Sequence, residues 1–388
     1  MANTLTGILP VLYEALDTVS REMVGFIPSV RKDTSAKRAG KDQTIRIPVA
    51  PAATLEAVTP GAAPAESGSQ TIGYTDVSIN KVYAAPILWN GEEEMSLKGG
   101  NFPIKDNLIK NQFEQAFRAL TNQIEEDLGG LYIDASRAFG TAGTTPFATA
   151  NQLDDISYAK KILQDNGAPM SDLHLVMDTT AGAKLGGFQS VLFKVNESGS
   201  ENGLRNGEFG KVNGMELAVS AGVQDHTSGT ASGAYTLGDT SYPVGTKNIL
   251  LASVGNGTLL PGDVVIIDGD SSERYVVDTG SSAVSGDSFN INAPGVITAI
   301  GDTQTVSAPA DYTANMAFDR NAIVLVTRAP ASPEGGDMAD DIEFITDPVS
   351  GLVFEICLYR QYKQIKIEVG LAWGYKVVKP EHVAIMLG

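Results

Sequence analysis

The spacing of hydrophobic and polar residues changes period several times along the chain, and each change marks an element. Ile8, Leu12, Ala15, Leu16, Val19 and Met23 recur at three- and four-residue steps, so residues 8–24 read as a short amphipathic helix with Glu14, Asp17 and Glu22 largely off the apolar stripe. A polar stretch, Arg31 to Lys41, follows. Ile45, Ile47 and Val49 then alternate with polar residues, and Thr75, Val77, Ile79, Lys81 and Tyr83 alternate again, which predicts two strands. Residues 50–70 between them are rich in Ala, Pro, Gly and Ser and too poor in apolar side chains to pack alone; such a loop in an ordered protein is functional or waits for a partner.

The longest periodic segment is 103–138, where Ile104, Leu108, Phe113, Phe117, Leu120, Ile124, Leu128, Leu131 and Ala135 step by three to five. A helix of that length would run on the order of 50 Å, a strut longer than a small core needs. Gly129-Gly130 costs about 1 kcal/mol per glycine relative to alanine, so a bend or an early stop is expected there. A second helix is expected over 153–165 on Ile156, Ala159, Ile162 and Leu163, closed by Asn166-Gly167 and Pro169; a short strand over Leu173 to Met177 and a short helix over Thr179 to Leu185 follow. Residues 222–311 lose helical period and read as an all-β insertion, with β-branched runs at Val264–Ile267 and Tyr275–Val277. Ala322–Val326 reads as a buried strand, and Ala329 to Gly336 as a link. Leu352, Phe354, Ile356 and Leu358, then Ile365, Ile367, Val369, Leu371, Trp373 and Tyr375, alternate as two long closing strands, and the residues between them, Arg360 to Gln364, include no Gly or Pro to name a turn.

Composition bounds what this pattern does. With 388 residues the chain is long enough for two or more domains, and 43% hydrophobic residues exclude wholesale disorder. No apolar run approaches the roughly 20 residues that cross a bilayer, and the first residues carry no basic region of a secretory signal, so synthesis and folding are expected in a cytoplasm. A net charge of −18 opposes nucleic-acid backbones and anionic lipid, which excludes direct nucleic-acid readout. The acidity is concentrated in 222–311, where ten acidic side chains face only Lys247 and Arg274.

Candidate chemistry is sparse. The single cysteine, Cys357, excludes an internal disulfide framework and a cysteine-rich zinc site, and its apolar neighbours Ile356 and Leu358 favour packing over nucleophilic use. His174, His226 and His382 lack metal-binding spacing and read as structural or surface residues. Asp268-Gly269-Asp270 with Glu273 offers hard oxygen ligands suited to calcium, but a hairpin turn between the flanking β-branched runs accounts for the same residues. Glu92-Glu93-Glu94 supplies carboxylates for glycoside chemistry only if neighbours converge, and adjacent residues on a helix or strand point apart. No nucleophile elbow, phosphate loop or dinucleotide fingerprint occurs, and Gly203 to Gly210 reads as a flexible loop. No catalytic residue, cofactor or metal is expected.

The order of parts, a helical N-terminal arm, an extended hairpin, a very long helix, a compact α/β unit and a β tail, resembles the major capsid (coat) proteins of tailed bacteriophages with the HK97-like fold. Ile156 to Pro169 followed by Leu173 to Asp178 is similar to the helix, turn and strand that open that family's axial domain; Gly214 to Ser220 resembles the strand before its insertion point, Met316 to Ala322 the returning segment, and Gly370 to His382 the closing strand. Leu260 to Gly269 is similar to the β-barrel insertion domain of short-tailed phage coat proteins (podovirus, P22-like). The resemblance implies an α+β fold with an N-arm at 1–40, an E-loop at 41–90, a peripheral domain over 91–150 and 331–375 with a spine helix at 103–138, an axial domain over 151–221, 312–330 and 376–388, and an insertion domain at 222–311 on the outer face.

It further implies a structural protein and not an enzyme, self-assembled in the host cytoplasm into pentamers and hexamers of an icosahedral head that encloses double-stranded DNA in the virion. Its partners would be copies of itself, a scaffolding protein and a portal, with packaged DNA in weak, non-specific proximity and no membrane. Arm and hairpin would lie across neighbouring subunits. Glu14 and Asp17 are candidates for contact with a basic scaffolding helix, and Gly99, Gly100 and the 50–70 loop are candidate hinges. The absence of lysine between Lys41 and Lys81 points to non-covalent assembly through the hairpin tip. An encapsulin-type cellular compartment with the same fold is the alternative, and a secreted surface-layer or carbohydrate-active β protein is a third reading, opposed by the lack of a signal.

Overall fold

The computed structural model describes residues 12, 15, 16, 24–49, 60, 73–98, 104–150, 152–189, 192, 210–232, 235–253, 257–282, 287–302, 304–307, 309–347 and 350–388. Three apolar strands, Leu173–Met177, Tyr312–Asp319 and Val383–Leu387, form the middle of a central sheet, with Phe318 registered against both His174 and Val383. They are buried on both faces, which is why their sequences are continuous apolar runs instead of alternating ones. Leu175, Met177, Ala317 and Met386 pack on the helix Asp154–Asp165 through Ile156, Ala159, Ile162 and Leu163. Met316, Phe318 and Ile385 belong to the larger core built on Phe113, Phe117, Leu120 and Ile124 of the long helix. Met215–Val219 and Arg137–Phe139 extend the layer by parallel pairing.

A second sheet is organised by the 14-residue strand Gln364–Val377. Lys81–Asn90 pairs along one of its edges. Val353–Gln361 and Ile323–Pro330 share the opposite edge end to end, since Ala372 and Trp373 pair with both Ile323–Pro330 and Lys81–Asn90. The long helix, Ile104–Gly129, lies against this sheet: the Phe117 and Phe354 rings meet edge to face at 5.1 Å, the Trp89 indole N–H donates to Gln112 at 2.9 Å, and the Trp373 indole N–H donates to Asp127 at 2.8 Å.

Several expectations are corrected. The helix drawn over 103–138 is shorter, Ile104–Gly129: it stops early at the Gly129-Gly130 pair, as those glycines predict, and gives way to a 3-10 turn, Gly130–Asp134, and the strand Arg137–Phe139. Gly129 also meets a packing requirement, because a Cβ on it would lie 2.0 Å from the Gly222 carbonyl oxygen. Arg31 to Lys41, read as a polar stretch, is mostly a strand, Arg31–Ala39, parallel to Ile323–Pro330; Arg31, Asp33 and Lys37 are exposed, while Lys32 and Arg38 are half-buried against the Ser350 carbonyl and Glu355. The strand expected from Thr75 through Tyr83 is interrupted at Ile79-Asn80, and Ala339–Thr346 is a further strand that the apolar pattern did not mark. The leading segment does not stand away from the body at its described positions: Leu12, Ala15 and Leu16 are buried in the core of the long helix.

The expected helix at 153–165, the strand at Leu173–Met177 and the helix from Thr179 are present. Among the described residues of 222–311 there are short strands and no helix, and they enclose a core of their own that includes Tyr235, Leu251, Tyr275, Phe289 and Ile300. This β module is not hung on a free linker. Arg274 and Tyr275 pair with Ala138 and Arg137 of the central sheet, and His226 pairs with Tyr312.

Candidate functional site

The surfaces that are unfinished within one chain are strand edges and a projecting hairpin. Among the described residues, Thr44–Val49 and Gly73–Ser78 pair only with each other, from Thr44 opposite Ser78 to Val49 opposite Gly73. Alternation sets their two faces: Ile47 and Val77 pack with Val324, Val326 and Ala372 at the base, and Thr44, Arg46, Pro48 and Tyr74 face outward. Arg46 bonds Asp76 at 3.1 Å and its guanidinium lies 3.7 Å from the centre of the Tyr74 ring, which is 58% exposed. The described stem thus carries an exposed ion pair and an arginine stacked on a tyrosine, and residues 50–59 and 61–72 lie outside the described residues.

Lys81–Asn90 is an edge strand with Tyr83 and Leu88 exposed, and Pro86 is tolerated there because an edge needs fewer donors. Its far end opens on a groove of about 730 Å³ lined by Trp89, Met95, Tyr362, Lys363 and neighbours. Tyr362 is 89% and Met95 78% exposed. Tyr362 and Lys363 form the two-residue turn joining the long strands, with Lys363 at φ 54°, so the connection is made without glycine.

Residues that suggested chemistry are engaged elsewhere. Glu93 and Asn90 form a reciprocal cap on the helix Gly91–Lys98: the Glu93 amide donates to Asn90 Oδ1 at 2.7 Å, and the Asn90 amide to Glu93 Oε2 at 3.1 Å. Asp270 accepts from the Tyr275 hydroxyl at 2.5 Å, Asp268 accepts from Thr305, and Glu273 pairs with Arg137 and Lys161, so these carboxylates are drawn to different partners around a turn. Val264–Val265 and Arg274–Thr279 are the strands that turn joins. Burial next to Glu355 pushes the Cys357 thiol up to about 11.

The histidines are built into the framework. His174 Nε2 lies 3.0 Å from Asp172 and Nδ1 3.3 Å from Glu216, and Asp172 also meets Arg320 at 3.4 Å. These three residues are close enough to share an ion, yet each ring nitrogen already faces a carboxylate oxygen. His226 joins the β module to the 3-10 turn that follows the long helix: Nδ1 is 2.9 Å from the Tyr132 hydroxyl and Nε2 is 2.8 Å from Asp263, whose carboxylate also accepts from the Leu260 amide at 2.7 Å. Burial lowers the tendency of His382 to take a proton. Glu14, Asp17, Gly99 and Gly100 lie outside the described residues.

Buried charges on the long helix were not anticipated. Glu125, 3% exposed, accepts hydrogen bonds from three backbone amides and from Ser220, and burial pushes its carboxyl up against their pull. Asp127 accepts from Lys81 at 2.5 Å and from Trp373. The four-residue series Phe113, Phe117, Thr121, Glu125 carried the signal, since it continues an apolar row into a carboxylate.

No family model matches the sequence, and no curated protein matches it. Solved structures do. The capsid of cyanophage P-SCSP1u is similar at a TM-score of 0.49 and 11% identity, covering 93% of this chain and 87% of that one. A chain of Mycobacterium phage Che8 gives 0.45 at 14% identity over 90% and 85%. A virus-like particle from Pyrococcus furiosus gives 0.42 at 9% identity over 97% of each chain. These identities and scores are too low to assign a family, and the functional reading rests on the chain's own motifs and surfaces.

Proposed function

We propose that this chain is a shell-forming structural protein, the major capsid protein of a tailed bacteriophage with an HK97-like fold, and not an enzyme. The observation that carries the reading is the open pairing of its strands: among the described residues, Thr44–Val49 and Gly73–Ser78 find no third strand, and Lys81–Asn90 leaves one edge unpaired with Tyr83 and Leu88 exposed. A self-paired hairpin and open strand edges are surfaces that a second copy completes.

In this reading the hairpin is the E-loop, the sheet of Gln364–Val377 with the long helix is the peripheral domain, the central sheet is the axial domain and the β module is the insertion domain. Copies meet in pentamers and hexamers, assembled in a host cytoplasm with scaffolding protein and portal, and the finished head encloses double-stranded DNA. The net charge of −18 suits a container whose wall must not bind its contents. Replacing residues 50–72 by a short Gly-Ser link tests the role of the hairpin. The expected result is soluble, folded subunits that form no shells; shells of normal yield would refute it.

A further inference from the structure

Three stretches far apart in the chain meet at the Glu125 carboxylate. Oε1 accepts from the Ile27 amide at 2.7 Å; Oε2 accepts from the amides of Phe26 at 2.9 Å and Gly25 at 3.1 Å and from the Ser220 hydroxyl at 2.6 Å. Gly25 to Ile27 is where the leading segment joins the body. Ser220 ends the central-sheet strand that leads to the β module, and its oxygen in turn accepts from the Gly222 amide at 3.0 Å. The backbones themselves touch: a Cβ on Gly222 would lie 2.6 Å from the Glu125 carbonyl carbon, and one on Gly25 would lie 2.9 Å from Ser220 Cβ.

A carboxylate has the acceptor capacity for four donors, and an amide does not, because its NH2 would face donors. Stranding such buried groups is costly, so the four bonds hold or fail largely together. We propose that Glu125 is a clasp that holds the leading segment, including Leu12, Ala15 and Leu16, on its own subunit, and couples that hold to the root of the β module. Resting on the shell reading, the clasp ties the seating of the leading segment on its own subunit to that of the module root at Ser220.

Hydrogen exchange on the full-length chain tests the clasp. In Glu125→Gln the amides of Gly25, Phe26 and Ile27 should exchange at least about tenfold faster, and in Ser220→Ala about threefold faster or more. Leu12, Ala15 and Leu16 should follow in both, while Leu173–Met177 and Val383–Leu387 stay within about twofold. Unchanged exchange at 25–27 in Ser220→Ala overturns the coupling. Faster exchange confined to 25–27, or a uniform rise across the central strands, overturns the clasp by making Glu125 a local or a general stability contact. Ser220→Ala keeps the carboxylate and three donors, so it carries the test where Glu125→Gln does not fold. Particle formation is scored separately by electron microscopy: wild-type chains that never form shells defeat the shell reading and leave the exchange result to decide the clasp.

Discussion

Arg137 Nη1 donates to Glu273 at 2.5 Å, and this pair fastens the central sheet to the β module. The guanidinium is fully buried, and its Nη2 donates to Asn166 Oδ1 at 3.0 Å at the end of the helix Asp154–Asp165. Lys161 lies 3.3 Å from the other oxygen of Glu273. Removing the acid leaves the buried Arg137 with Asp165, 3.8 Å away and half-exposed, as its charged partner, so Glu273→Ala is expected to cost about 3 kcal/mol. Urea unfolding checks this; a loss below 0.5 kcal/mol, the order of a surface change, would show that the module docks without the pair.

Gly129→Ala separates two opposed expectations. Helix propensity alone predicts a gain of about 1 kcal/mol. The structure predicts a loss of about 1–3 kcal/mol, since the added methyl meets the Gly222 carbonyl and the crossing backbones must part. Thermal unfolding decides the sign.

Leu16→Ala tests where the leading segment lies. Leu16 is buried in the long-helix core, so truncation should cost about 2–5 kcal/mol. A segment free of the body would give almost no change in the urea midpoint of the isolated subunit.

How far the sequence could be read follows from how each element solves its burial. Leu173–Met177 and the helix Asp154–Asp165 were legible because an apolar run or stripe with Asn166-Gly167 at its end admits few other structures. The polar strand Arg31–Ala39 was hidden, because it is held by backbone pairing to Ile323–Pro330 and leaves no alternation in its side chains. Glu125 and Arg137 were hidden for a related reason: buried charge is specified by partners distant in sequence, here Gly25 to Ile27 and Glu273. The open strand edges emerged only once the pairing of each strand was known.

Cys357 gives a pH-dependent readout. Its thiol, raised from 9.0 to about 11, is at pH 8 roughly a hundredth as ionised as an unperturbed one, so alkylation in the folded chain should be slower by at least that factor than in urea. The sign for stability follows: the folded state favours the neutral thiol, so its contribution is intact below the unfolded value and is lost as pH rises from about 9 towards about 11. Rapid labelling at pH 8 of a chain shown to be folded would contradict the burial of the Val353–Gln361 strand.

The central claim is that copies of this chain complete one another around a closed container. Electron microscopy of the purified full-length chain, across salt and protein concentration and with co-expressed candidate scaffolds, tests it most directly. Closed shells of uniform diameter are the predicted result; monodisperse monomers under every condition would contradict it.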